Sequence, residues 1–134
     1  MSILQMFWDA AAGNPALVKL AAAFFMGGLI GLEREVHGRI AGFRTHILVC
    51  VSATLIMIIS ERMSNALAQE GAVFAFRLDP GRIAAGIVTG IGFLGAGTIL
   101  RHENLVRGLT TAACIWLSAS LGIAIGLGYI ELAM

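Results

Sequence analysis

The sequence predicts an all-α fold: a polytopic transmembrane helical bundle of four spans, making one transmembrane domain of residues 1–134. Three observations predict it. The chain is 58% hydrophobic and 13% charged, with a mean hydropathy of +0.88, whereas a soluble domain carries about 25% charged residues. Ile83–Leu100 and Gly108–Ile130 contain no charge at all, and the first of them reaches about 27 Å at about 1.5 Å per residue, close to the roughly 30 Å of a hydrocarbon core. Finally, stretches such as Ala21–Leu32 and Thr54–Ser60 lack the water-facing polar stripe of a soluble amphipathic helix.

In chain order, residues 1–14 place Ile3, Leu4, Phe7 and Trp8 near one helical face, as in a short interfacial segment or a frayed tail. The first span covers about 15–33, with Lys19 one turn in and able to snorkel to headgroups; Gly28 and Gly31 are its packing residues. The second covers about 45–61. A connector follows, and Asp79-Pro80-Gly81 reads as a helix entry with Asp79 as N-cap and Pro80 at the first helical position. The third span, about 82–100, contains Gly86, Gly90, Gly92, Gly95 and Gly97; the fourth covers about 108–130.

Gly90, Gly92 and Gly95 spell the GxGxxG of dinucleotide-binding turns. That reading needs a strand before it, an amphipathic helix after it and an acid about 20 residues on, and the sequence offers none of these. Within a membrane helix, Gly86, Gly90 and Gly97 share one face and Gly92 lies on an adjacent one, so backbones can approach closely on several sides. The third span is therefore expected to be the most buried helix, packed centrally against its own chain or a second copy. The alternative is a break in the helix whose freed backbone groups bind an ion.

Gly42–Leu55 laid on Gly108–Leu121 matches Gly42 with Gly108, Thr45 with Thr111, Ser52 with Ser118, Ala53 with Ala119 and Leu55 with Leu121. Two helical hairpins entering from one side would form a parallel repeat. The loops of residues 33–44 and 101–107 hold five arginines, against four basic residues on the other side. The positive-inside rule then makes these short loops cytoplasmic and the termini periplasmic.

Cys50 and Cys114 lie inside spans, far apart in sequence, and the three histidines are scattered; no metal-ligand spacing exists, and no cofactor or nucleic acid is implied. Chemistry is left to the polar residues at the helix ends of the loop side: Glu33, Arg34, Arg44, Thr45, Arg101, Arg107 and Thr111. Charges that abut hydrocarbon are costly unless paired. Glu33 is expected to pair with an arginine, and the remaining guanidiniums to form a basic mouth for a phosphate, a lipid headgroup or an acidic protein surface. Thr110 and Thr111 sit where hydroxyls either cap amides or touch a ligand. Asp79 and Arg82 would fix the entry of the third helix. Glu35, His37, Arg39, His102 and Glu103 read as headgroup anchors and surface ion pairs.

Taken together, Gly27–Glu35, Ala41–His46, Asp79–Arg101 and Val106–Trp116 resemble the MgtC/SapB family of bacterial membrane proteins. The resemblance implies an inner-membrane protein tied to low-magnesium adaptation and intramacrophage survival, acting on a partner such as the proton-translocating ATP synthase. The family pattern commonly has glutamine where Gly86 stands and leucine where Phe43 stands, and many members continue into a fifth span and a soluble domain. The expected function is thus a non-enzymatic, homo-oligomeric membrane modulator. A small channel or transporter for an anion or Mg2+ is the rival, and a lipid-binding protein a third reading.

Overall fold

A computed structural model describes residues 13–69, 79–102 and 105–133. The expected interfacial segment of residues 1–12 lies outside them, as do 70–78 and Glu103. Four helices dominate: α1 (Pro15–Val36), α2 (Phe43–Gln69), α3 (Pro80–Thr98) and α4 (Leu109–Gly126). Two short strands, β1 (Leu100–His102) and β2 (Leu105–Arg107), join α3 to α4 as an antiparallel ribbon, and a 3-10 turn at Ile130–Leu132 follows α4.

Local chemistry sets the boundaries. Asn14 caps α1, its side chain accepting from the Ala16 amide at 3.1 Å, with Pro15 at the first helical position. α1 ends where Gly38 turns left-handed at φ 63°: its amide donates to Glu35 O and that of Arg39 to Arg34 O, the paired closure of a Schellman motif. Glu35 then accepts from the Phe43 amide at 2.8 Å and starts α2, so this carboxylate is a helix cap. α3 is continuous through its glycines, and Asp79 caps it as expected, accepting from the Gly81 amide at 2.8 Å.

α2 and α4 run parallel at the centre, α1 lying against both and α3 chiefly against α4. The bundle is apolar outside, and its interior is mostly small or hydroxylated, with Met57, Ile115 and Ile125 as larger buried side chains. Ala23, Cys50, Thr54, Ser118 and Gly122 are buried, while Phe24, Phe25, Leu29, Leu48, Leu55 and Phe93 are exposed. A soluble core reverses this arrangement; a multi-pass membrane protein needs it, because lipid tails reward the bulky exterior and small residues let helices approach.

Two expectations are corrected. Four spans were expected, but among the described residues three helices are long and apolar enough to cross a membrane: Pro15–Val36, Phe43–Ala66 and Leu109–Gly126. α3 has comparable length, yet six glycines and Arg82 dilute its apolarity. Nor is α3 the most buried helix. Only Ile91 and Gly95 are buried on it, against seven residues on α4, and a Cβ added at Gly86, Gly90, Gly92 or Gly97 would meet nothing within 4 Å among the described residues. The close-packing glycines lie elsewhere. A Cβ at Gly27 would sit 2.7 Å from His46 O, at Gly31 2.7 Å from Phe43 Cα, at Gly122 2.8 Å from Ala53 Cβ and at Gly126 2.9 Å from Thr54 O. Gly28 faces inward too, 3.3 Å from the Phe43 ring by the same measure, and Gly95 makes ordinary contact with Ala112.

Lys19 does not snorkel. Its ammonium donates to Glu61 Oε2 at 3.1 Å and to the Gly126 carbonyl at 2.8 Å, tying the ends of α1, α2 and α4 together.

Candidate functional site

The polar end of the bundle holds the 37–42 turn, the β-ribbon and the start of α4. Gly108 shapes it. It sits at φ 90° ahead of α4, and a Cβ there would overlap the Thr98 carbonyl oxygen, so only glycine lets the ribbon fold back against the end of α3. Gly108 supplies no side-chain cap. The first intrahelical bond of α4 runs from the Ala112 amide to Gly108 O at 2.9 Å, which leaves the preceding amides directed out of the helix with the positive end of its dipole.

Around that helix start opens a groove of about 570 Å³, whose polar lining comes from Arg39, Arg107, Thr110 and Thr111. Ile40, Leu100 and Leu109, all exposed, give it apolar walls. Thr111 is 3% exposed and lines the groove. Neither Arg39 nor Arg107 joins a salt bridge among the described residues.

The other expected site residues do not reach this groove. Glu33 and Arg34 form an ion pair with each other, Nη2 to Oε1 at 2.6 Å with a second contact from Nε to Oε2, and His37 lies 3.2 Å from the same carboxylate. Glu33 therefore does find an arginine, its immediate neighbour. The Arg34 side chain is 13% exposed, with Nη1 buried and unpartnered among the described residues. Arg44 and Thr45 are exposed on the first turn of α2. Arg82 is exposed, and its backbone amide bonds the Asp79 carbonyl at 2.9 Å. Arg101 pairs across the ribbon with Val106, and Leu100 with Arg107. Directly opposed residues share a face and successive ones alternate, so Arg101 and Arg107 point to opposite faces. The single basic mouth thus resolves into a groove around Arg107 and separately exposed Arg44 and Arg101.

Sequence reasoning missed Arg39, which it placed among the headgroup anchors. The signal was Gly38 directly after the last charged turn of α1: a left-handed C′ glycine reverses the chain and brings the next side chain to the groove. It also missed His46, fully buried with Nε2 unpartnered among the described residues and Nδ1 3.0 Å from Gly42 O. Among the described residues no three His, Cys, Asp or Glu side chains gather into a metal-binding group.

α3 has two apolar grooves beside it. One of about 440 Å³ is lined by Ser52, Ala53, Ile87 and Gly90 among others, and one of about 330 Å³ by Gly92, Gly95, Ala112 and Trp116 among others.

The sequence pattern of the MgtC family matches residues 20–134. The chain is 45% identical over 119 residues to the "Putative magnesium transporter YhiD" of Escherichia coli K12, covering 88% of this chain and 54% of that protein. It is 44% identical over 120 residues to Protein MgtC of Salmonella typhimurium, covering 90% of this chain and 47% of the relative. To Protein MgtC of Brucella abortus it is 44% identical over 126 residues, 94% of this chain and 48% of the relative. The chain spans about half the length of these curated relatives. No solved structure matches it. The chain belongs to the MgtC family.

Proposed function

We propose that this member of the MgtC family is a non-enzymatic modulator embedded in the bacterial inner membrane, which docks α3 against a helix of a partner complex or of a second copy. The observation that carries this reading is the glycine face of α3: at Gly86, Gly90, Gly92 and Gly97 the backbone is bare, nothing among the described residues lies within 4 Å of an added Cβ, and apolar grooves flank the helix. In lipid, small residues earn their place by letting a second backbone approach. Arg44 and Arg101, exposed at one end, would meet acidic groups of the partner. The five arginines on that end against four basic residues opposite favour a cytoplasmic 37–42 turn and ribbon, with periplasmic termini. The family resemblance makes the proton-translocating ATP synthase the first partner to test, in adaptation to low magnesium or survival inside macrophages.

Inverted membrane vesicles test this directly. The protein should lower ATP-driven proton pumping, and Gly90→Leu should abolish that effect while leaving the protein folded and inserted. Equal pumping with and without the protein would contradict the proposal.

Transport is the second reading, favoured by the magnesium transport in the name of the Escherichia coli relative. Against it, Mg2+ prefers several oxygen ligands, and α3 and α4 carry no acidic residue. Anion or Mg2+ flux through proteoliposomes that Arg101→Ala abolishes would favour transport over modulation.

A further inference from the structure

We propose that the groove between the 37–42 turn and the ribbon is a binding site for a phosphate group, held by Arg39, Arg107 and the start of α4. The docking of α3 plays no part in this, because the groove lies at the polar end of the bundle and α3 contributes none of its lining.

Three independent features meet in one space of about 570 Å³. The first is a pair of guanidiniums from separate segments, brought together by the reversal at Gly38 and by the fold-back at Gly108. Guanidinium forks match phosphate oxygens in geometry and charge. The second is the uncapped start of an 18-residue helix, where Gly108 offers no side chain to compete for the free amides. The third is Thr111. It is 97% removed from solvent and lines the groove, where a threonine side chain brings a hydroxyl that can donate to a phosphate oxygen.

Among the described residues Arg39 and Arg107 join no salt bridge: Glu33 is paired with Arg34 and His37, with Arg39 within electrostatic reach, and Glu35 accepts from the Phe43 amide. Ile40, Leu100 and Leu109 wall the same groove, so it offers an apolar surface beside the anion site. That arrangement suits a phosphodiester attached to glycerol and acyl chains, and it also admits a free phosphate or a small phosphorylated molecule.

The experiment measures thermal unfolding of the full chain, purified in neutral detergent, as each of four probes is titrated: phosphatidylglycerol, diacylglycerol, inorganic phosphate and polyglutamate. Phosphatidylglycerol or inorganic phosphate should raise the midpoint saturably, and diacylglycerol should not. A shift with phosphatidylglycerol alone assigns a lipid source; a shift with inorganic phosphate as well assigns a soluble one. Arg39→Gln and Arg107→Gln should each raise the half-saturating concentration about tenfold, as expected for a lost hydrogen bond to a charged group. Thr111→Val should raise it a few-fold, and Arg62→Gln, at the far end of α2, should leave it unchanged. No shift with either phosphate probe would overturn the proposal. So would a shift that survives in both arginine variants, or one produced by polyglutamate and not by phosphate, which would make the groove a docking place for an acidic protein segment.

Discussion

The glycines of α1 and α4 and those of α3 face opposite surroundings. At Gly27, Gly31, Gly122 and Gly126 the backbone of α2 comes so near that a single added carbon would collide with it, whereas Gly86, Gly90, Gly92 and Gly97 meet nothing among the described residues. The first set makes the bundle possible: α2 nests between α1 and α4 because neither presents a Cβ at the crossing. The second set packs against none of the described residues. In a helix interior each glycine costs about 1 kcal/mol relative to alanine, so α3 carries a penalty that no contact among the described residues offsets. On the proposed reading, a helix docked beside α3 supplies the reason for it.

Substitutions sharpen this contrast, beginning with the largest effect. Gly122→Leu would drive a branched side chain into Cys50 and Ala53 of α2. It should cost about 3 kcal/mol, the upper end for overpacking a filled interior, and show as a large fall in the unfolding midpoint in detergent. Lys19→Met removes both bonds that tie α1 to Glu61 and to the Gly126 carbonyl. Because Glu61 is 42% exposed, the loss should be about 1 kcal/mol, read by the same unfolding curve. Thr54→Val deletes the 2.9 Å bond to the Gly122 carbonyl and should cost about 0.6 kcal/mol, as such interhelical bonds do in membrane bundles. Gly90→Leu should leave the midpoint of the isolated chain unchanged or slightly raised, since the new side chain meets nothing. A fall as large as that of Gly122→Leu would erase the distinction between the two sets.

Much of the architecture was legible because hydropathy reports length and environment directly. Both uncharged runs became helices, and the Asp79-Pro80 entry caps α3 as read. α2 runs on to Gln69, beyond the expected 61, because Met63, Ala66 and Leu67 keep a helix-forming pattern after the apolar run ends. Burial order was not legible. A glycine records how near another backbone can come, and nothing in GIVTGIGFLGAG records whether that backbone belongs to the same chain. The ribbon was missed for a related reason: RHENLVR contains none of the paired turn residues that announce a hairpin. Its pleat is what separates Arg101 from Arg107, two residues that sequence proximity alone had gathered together.

Photocross-linking in native membranes tests the central claim most directly. In a background with Cys50 and Cys114 replaced by alanine, single cysteines at 86, 90 and 97 labelled with a benzophenone maleimide should form intermolecular adducts on irradiation, with a second copy or another protein, while labelled cysteines at 44 and 62 give only background. Uniform background at all three α3 positions, with those cysteines open to a lipid-soluble thiol reagent, would show that α3 faces lipid alone and would contradict the account.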